Sequence, residues 1–238
     1  MSNIFPVLGV IFGAAFMQSL VGFGSAMVAT ALLPQWLGLR EAVPLVTLIA
    51  LTLEVVLLIR YRSAVQWRSI WQLGAGMILG APIGVWALNR VEPRYLLPVL
   101  GGVIVAYAVD ALLDWTLPAL HNPRWAWGVG LVAGVLEGLF SFSGPPLIIY
   151  GQCRRWAADE FKGNLQVLFL LNHLIVIASR AATGAFTPAV LRYYLASLPA
   201  IALGVGIGLF VGSRFRPSTF RKAGLVALLL VGARQFLG

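Results

Sequence analysis

Three side chains in this sequence, Glu54, Glu137 and His173, can take up or release a proton, and each stands inside a run of apolar residues. An ionisable group in such a run is costly, and it tends to mark an ion or proton path. A second set carries different chemistry. Gly22, Gly24 and Ser25 in "QSLVGFGSAM", and Ser141, Ser143, Gly144 and Pro145 in "GLFSFSGPP", place small, hydroxyl-bearing and helix-breaking residues in the middle of hydrophobic segments. Backbone N–H groups freed at such a break, with serine hydroxyls beside them, are the donors an anion takes.

Other polar residues fall close to these. Gln18 precedes the first break by about the distance at which Glu137 precedes the second, so both are candidates for the wall of one cavity. Glu54 and His173 stand 119 positions apart, and Asn172 adjoins His173. A carboxylate and an imidazole at equivalent buried places can relay protons and couple transport to a proton gradient. Hydrogen bonding between helices is the competing role, above all for Asn172.

The elements that must position these groups follow from composition. The chain has 238 residues, 60% hydrophobic and 11% charged, with a mean hydropathy of +0.89. Those values exclude an ordinary water-soluble domain and predict an all-α polytopic membrane protein. Crossing a hydrocarbon core of about 30 Å takes about 20 helical residues. Apolar regions of that order run from Ile4 to Leu37, Ala42 to Ile59, Ile70 to Leu88, Tyr95 to Leu113, Trp125 to Gly151, Phe161 to Ser179, Leu191 to Val211 and Phe220 to Phe236. Lys and Arg fall between them or at their ends, which is where lipid-facing helices leave their charges.

The regions repeat. Arg68 and Arg192, Gly80 and Gly204, Gly84 and Gly208, Arg90 and Arg214, and Pro93 and Pro217 keep a constant spacing of 124, which divides the single transmembrane domain into repeats at 1–115 and 124–238. Each repeat opens with a region too long for one span and interrupted near its centre, followed by three ordinary spans. Glycine leaves helical geometry cheaply, and Pro145 and Pro146 suit the first turn of a new helix. If each broken region is a re-entrant pair, three crossings per half make the repeats inverted and gather most basic residues, Arg124, Arg154, Arg155 and Lys162 among them, on one side. If each crosses once, the halves are parallel. The basic asymmetry favours inversion.

Paired breaks at corresponding places in two repeats point to a transporter's central site, where half-helix N-termini attract anions. The expected anion-binding set is therefore Gln18, Gly22, Gly24, Ser25, Ser141, Ser143, Gly144 and Pro145, with Glu54, Glu137, Asn172 and His173 lining the cavity or carrying protons. Two other classes compete. A passive anion channel shares the cavity and needs no alternating access, and an intramembrane serine protease needs Ser143 and His173 within hydrogen-bond reach.

Further partners are limited by the same residues. Cys153 is the one cysteine, so no disulfide within the chain and no metal cage is expected. The net charge of +9 is spread over short joints with no patch to present to nucleic acid, and contact with anionic lipid accounts for it. The start, Met-Ser-Asn-Ile-Phe-Pro, lacks a positive n-region, so the first segment is expected to be retained.

Three stretches carry a family resemblance over essentially the whole chain: "GFGSAMVATALLP" at 22–34, "SGPPLIIYG" at 143–151 and "EFKGNLQVLFLLN" at 160–172. They resemble the sulfite exporter TauE/SafE family, also called the 4-toluene sulfonate uptake permease family. Phe23 and Ser25 interrupt the longer glycine run that many relatives have at the first break, and the basic residue found after the second broken helix stands here as Lys162. The resemblance implies secondary transport of sulfur-containing anions such as sulfite, sulfoacetate or other organosulfonates across the bacterial inner membrane. It implies no cofactor and no enzymatic activity, with a small anion, the lipid bilayer and possible protons as partners.

Overall fold

The computed structural model describes residues 4–21, 24–61, 64–113, 117–120, 122–212, 214, 226, 229, 230, 232 and 233. All regular structure among them is helical. The elements are α1 (Ile4–Val21), α2 (Ser25–Leu32), α3 (Pro34–Leu37), α4 (Leu39–Tyr61), α5 (Trp67–Arg90), α6 (Pro93–Leu113), α7 (Trp125–Phe140), α8 (Gly144–Cys153), α9 (Ala158–Ala182) and α10 (Pro188–Gly212). Most of the region expected at 220–236, and Gly22 in the first break, lie outside the described residues.

Four of these helices, α5, α6, α9 and α10, are long and apolar enough to cross a membrane. Their outward faces carry Trp67, Leu79, Trp86, Leu203 and Phe210 exposed, as a lipid-facing surface requires. Proline opens α3, α6 and α10, where its missing N–H costs no helical bond.

Both opening regions are broken where expected. The first stops at Val21 and restarts at Ser25, with Gly24 in a left-handed conformation at φ 101°. The second stops at Phe140 and restarts at Gly144, with Ser141 left-handed at φ 60°. The α7–α8 pair turns back on itself. Leu120, on the segment leading into α7, donates its N–H to the carbonyl of Cys153 at the end of α8 (2.9 Å), and Arg154 and Arg155 donate to the carbonyls of Leu120 and Leu117. Around the other opening region, Val7, Leu33, Ala42 and Val190 share one apolar cluster, which brings the start of α1 beside the end of α2 and the start of α4.

Close packing of glycine sets the rest. A Cβ on Gly76, Gly80 or Gly84 of α5 would lie within 2.6 Å of a backbone oxygen of α7. The reverse holds for Gly130, Gly134 and Gly138 of α7 against α5, within 2.4 Å. Helices approach this closely only where small residues face each other. The same device joins α10 to α1, where Gly204 and Gly208 meet the backbone of Phe12 and Phe16. In both pairs residue numbers rise together, so α5 runs parallel to α7 and α10 parallel to α1. Helices α4 and α9 pack together between these pairs.

Candidate functional site

The second break is tied into the protein by side chains from three other helices. The Ser141 N–H caps the carbonyl of Glu137 (2.8 Å). Its hydroxyl donates to the carbonyl of Val43 on α4 (3.0 Å) and meets the Thr47 hydroxyl (2.7 Å). From α9, Arg180 donates to Ser141 Oγ (2.7 Å), Val43 O (3.0 Å) and Gly138 O (2.8 Å), and it also contacts Thr47. From α2, Thr30 donates to the carbonyl of Phe140 (2.8 Å). The last carbonyls of α7 thus meet a guanidinium and a hydroxyl, which suits the negative end of a helix.

The first break is closed from within its own half. Gln18 Oε1, on α1, accepts the backbone N–H of Ser25 (3.0 Å) and the Ser25 hydroxyl. Those donors form the N-terminus of α2. Ser143, at the equivalent start of α8, is buried at 1% exposure, and its hydroxyl has no partner among the described residues.

Between the breaks lies an imidazole bridged by two carboxylates. His173 Nδ1 is 2.9 Å from Glu54 Oε2, and Nε2 is 2.9 Å from Glu137 Oε1, with all three side chains buried. Nδ1 also lies 3.1 Å from the carbonyl of Phe169. A neutral imidazole carries one N–H and an imidazolium two, so the two flanking carboxylates place the ring where a gained proton would be held.

These groups converge on one cavity of about 30 Å³, room for one or two waters. Gln18, Gly24, Ser143 and Gly144 line it from the breaks, and Glu54, Glu137 and His173 from the sides. Ser141 reaches the wall with its hydroxyl already engaged. Not every expected residue arrives there. Among the described wall residues Ser25, Pro145 and Asn172 do not appear: Ser25 faces Gln18, Pro145 is buried in the first turn of α8, and Asn172 is buried on α9 with its amide unpartnered. Sequence reasoning missed Arg180. It placed every basic residue at a joint, yet this one is 1% exposed. Helix position carries no signal for the difference, since Arg90 in the last turn of α5 is exposed.

The sulfite exporter TauE/SafE family model matches residues 7–235. The chain belongs to this family. It is 31% identical over 171 residues, 71% of each chain, to a protein of Comamonas testosteroni named probable inner membrane transporter protein TsaS. It is 25% identical over 244 residues, 98% of this chain and 95% of the other, to a Cupriavidus necator protein named probable sulfite/organosulfonate exporter TauE. A shorter stretch of 62 residues, 24% of this chain and 21% of the other, is 36% identical to a Synechocystis protein named putative carboxypeptidase slr1534. No solved structure matches.

The protein is thus a multi-pass inner-membrane transporter and not an enzyme. Both ring nitrogens of His173 face carboxylates, and the Ser143 hydroxyl has no partner among the described residues.

Proposed function

We propose that the transporter carries sulfite or a small organosulfonate, bound between the two helix breaks, together with a proton held on Glu54, His173 and Glu137. The observation that carries this reading is a single cavity lined by both breaks and by the triad. At α8 the buried Ser143 hydroxyl, without a partner among the described residues, supplies a donor, and at α2 the Ser25 N–H donates to Gln18, which lines the same cavity. Two half-helix N-termini can share the oxygens of a sulfonate or sulfite.

Charge supports the coupling. Two carboxylates face the cavity, and a further anion 4 Å from one of them is repelled by about 4 kcal/mol in a protein-like dielectric. The charged groups around the triad are Glu54 from α4, Glu137 from α7, and His173 and Arg180 from α9. Helices α1, α2 and α8 bring no carboxylate or basic side chain to the cavity wall among the described residues. Arg180 is held on backbone carbonyls and hydroxyls behind the wall residue Ser141, and protonation of the triad adds to its charge in offsetting an incoming anion.

Alternating access is part of the proposal, as is the division into inverted repeats at 1–115 and 124–238. In the proposed cycle the breaks separate to admit the anion to the cavity of about 30 Å³ between them. The return of the α7–α8 pair to the end it started from supports inversion, while the exchange of α5 on α7 with α10 on α1 supports a two-fold relation between the halves. Gln18 and Glu137 also keep the 119 spacing of Glu54 and His173, so the four cavity groups form two related pairs.

The test is uptake of labelled sulfite, sulfate and a small organosulfonate into proteoliposomes, with and without an imposed pH gradient and with unlabelled anion inside. Saturable uptake that trapped anion accelerates and an inward proton gradient drives is expected, faster as the outer pH falls because the anion-competent triad is the protonated one. In His173→Asn and Glu54→Gln the gradient should lose its effect. Uptake indifferent to the gradient in the parent protein would remove the proton, and unsaturable flux without counterflow would make it a channel.

A further inference from the structure

The two breaks meet the cavity differently. At α8 the Ser143 hydroxyl has no partner among the described residues, whereas at α2 the N–H and hydroxyl of Ser25 both point to Gln18 Oε1. Gln18 is 3% exposed and lines the cavity. A carboxamide oxygen carries partial negative charge and accepts two donors at once, as an oxygen of a sulfonate would.

We infer that Gln18 is an internal stand-in for the transported anion: its side-chain oxygen occupies the position at the α2 N-terminus that an anion oxygen takes, and it must swing away for the anion to bind. This deepens, and rests on, the reading of the breaks as the anion site. Displacement has a defined consequence. If the donors are free only in the fraction of molecules with Gln18 swung out, the apparent dissociation constant is raised by the reciprocal of that fraction. The same exchange aids release, because Gln18 takes the donors back as the anion leaves. Gln18 thereby sets affinity against turnover. Its displacement also enlarges the cavity that it lines.

The experiment uses the full chain, with sulfite as probe. Sulfite binding to detergent-solubilised protein is titrated calorimetrically, and KM and kcat for sulfite uptake are measured in proteoliposomes, for the parent protein, Gln18→Met, Gln18→Ala, Gln18→Glu and Ser143→Ala. Melting in detergent establishes that each variant is folded. Gln18→Met, of similar size without the acceptor oxygen, should bind sulfite about tenfold tighter, the worth of one or two hydrogen bonds no longer displaced. Its KM should fall and its kcat should fall with it. Gln18→Ala should follow the same direction, and Gln18→Glu should weaken binding. A variant that merely loosens the fold would not gain affinity.

Binding weakened or unchanged in both Gln18→Met and Gln18→Ala, with Ser143→Ala also weakened, overturns the stand-in and leaves the anion site standing. Binding unchanged in every variant, Ser143→Ala included, overturns the anion site together with the stand-in.

Discussion

Ser141 holds a left-handed backbone that costs an ordinary side chain about 1–2 kcal/mol, and its surroundings hold it there. Its hydroxyl meets Val43, Thr47 and Arg180 at once. Ser141→Ala keeps the strain and loses those bonds, so a loss of about 2 kcal/mol is expected, read as a lower melting temperature in detergent. Ser141→Gly loses the same bonds and relieves the strain, which should place it between the parent and Ser141→Ala. If Ser141→Ala melted with the parent, the hydroxyl network would not be what holds the break. Legibility at this scale depended on contrast. Gln18, Glu54, Glu137, Ser143 and His173 stand out because each is polar inside an apolar run, and all five reach the cavity wall. Arg180 does not stand out, because an arginine in a last helical turn has the same sequence signature whether it faces water or a neighbouring carbonyl.

Among the elements, the helix pairs rest on glycine ridges. A Cβ at Gly84 would lie 2.2 Å from the carbonyl oxygen of Val135, whereas a Cβ at Gly206 meets nothing within 4 Å. Gly84→Ala must push α5 off α7 and should cost about 1–3 kcal/mol. Gly206→Ala, on the exposed face of α10, should melt at or above the parent, since alanine favours helix. Thermal unfolding followed by size-exclusion chromatography distinguishes them, and equal melting of the two variants would remove the close approach of α5 to α7. Both breaks were visible beforehand in "GFGS" and "SFSGPP", because glycine, serine and proline act through the backbone and need no partner. Which helix each glycine ridge meets was not visible. The Gly-x-x-x-Gly spacing marks a face that tolerates close approach without naming what approaches it.

Across the whole molecule, the proposed inversion predicts which loops share a side. The turn at Glu92 and the loop at Thr183 should face one compartment, and Asp159, close to Arg154, Arg155 and Lys162, the other. Single cysteines at these three exposed positions, in a chain carrying Cys153→Ser, can be tested in intact cells with an impermeant maleimide. Glu92→Cys and Thr183→Cys should label, and Asp159→Cys should label only after lysis, since basic loops stay inside. Labelling of Glu92→Cys and Asp159→Cys from the same side would make the halves parallel.

What the sequence determined alone was what depends on composition and on backbone chemistry: an all-helical membrane protein, broken opening regions, and a small set of polar residues too costly to be idle in lipid. These follow from single residues and their near neighbours. The tertiary structure alone decided which distant groups meet. It bridged His173 between Glu54 and Glu137, set Arg180 on the carbonyl end of α7, and set Gln18 on the donors of Ser25 while leaving the Ser143 hydroxyl without a partner among the described residues. The physical reason is that hydrogen bonds and ion pairs act over about 3 Å, whereas the helices that bring their partners together are separated by tens of residues of chain.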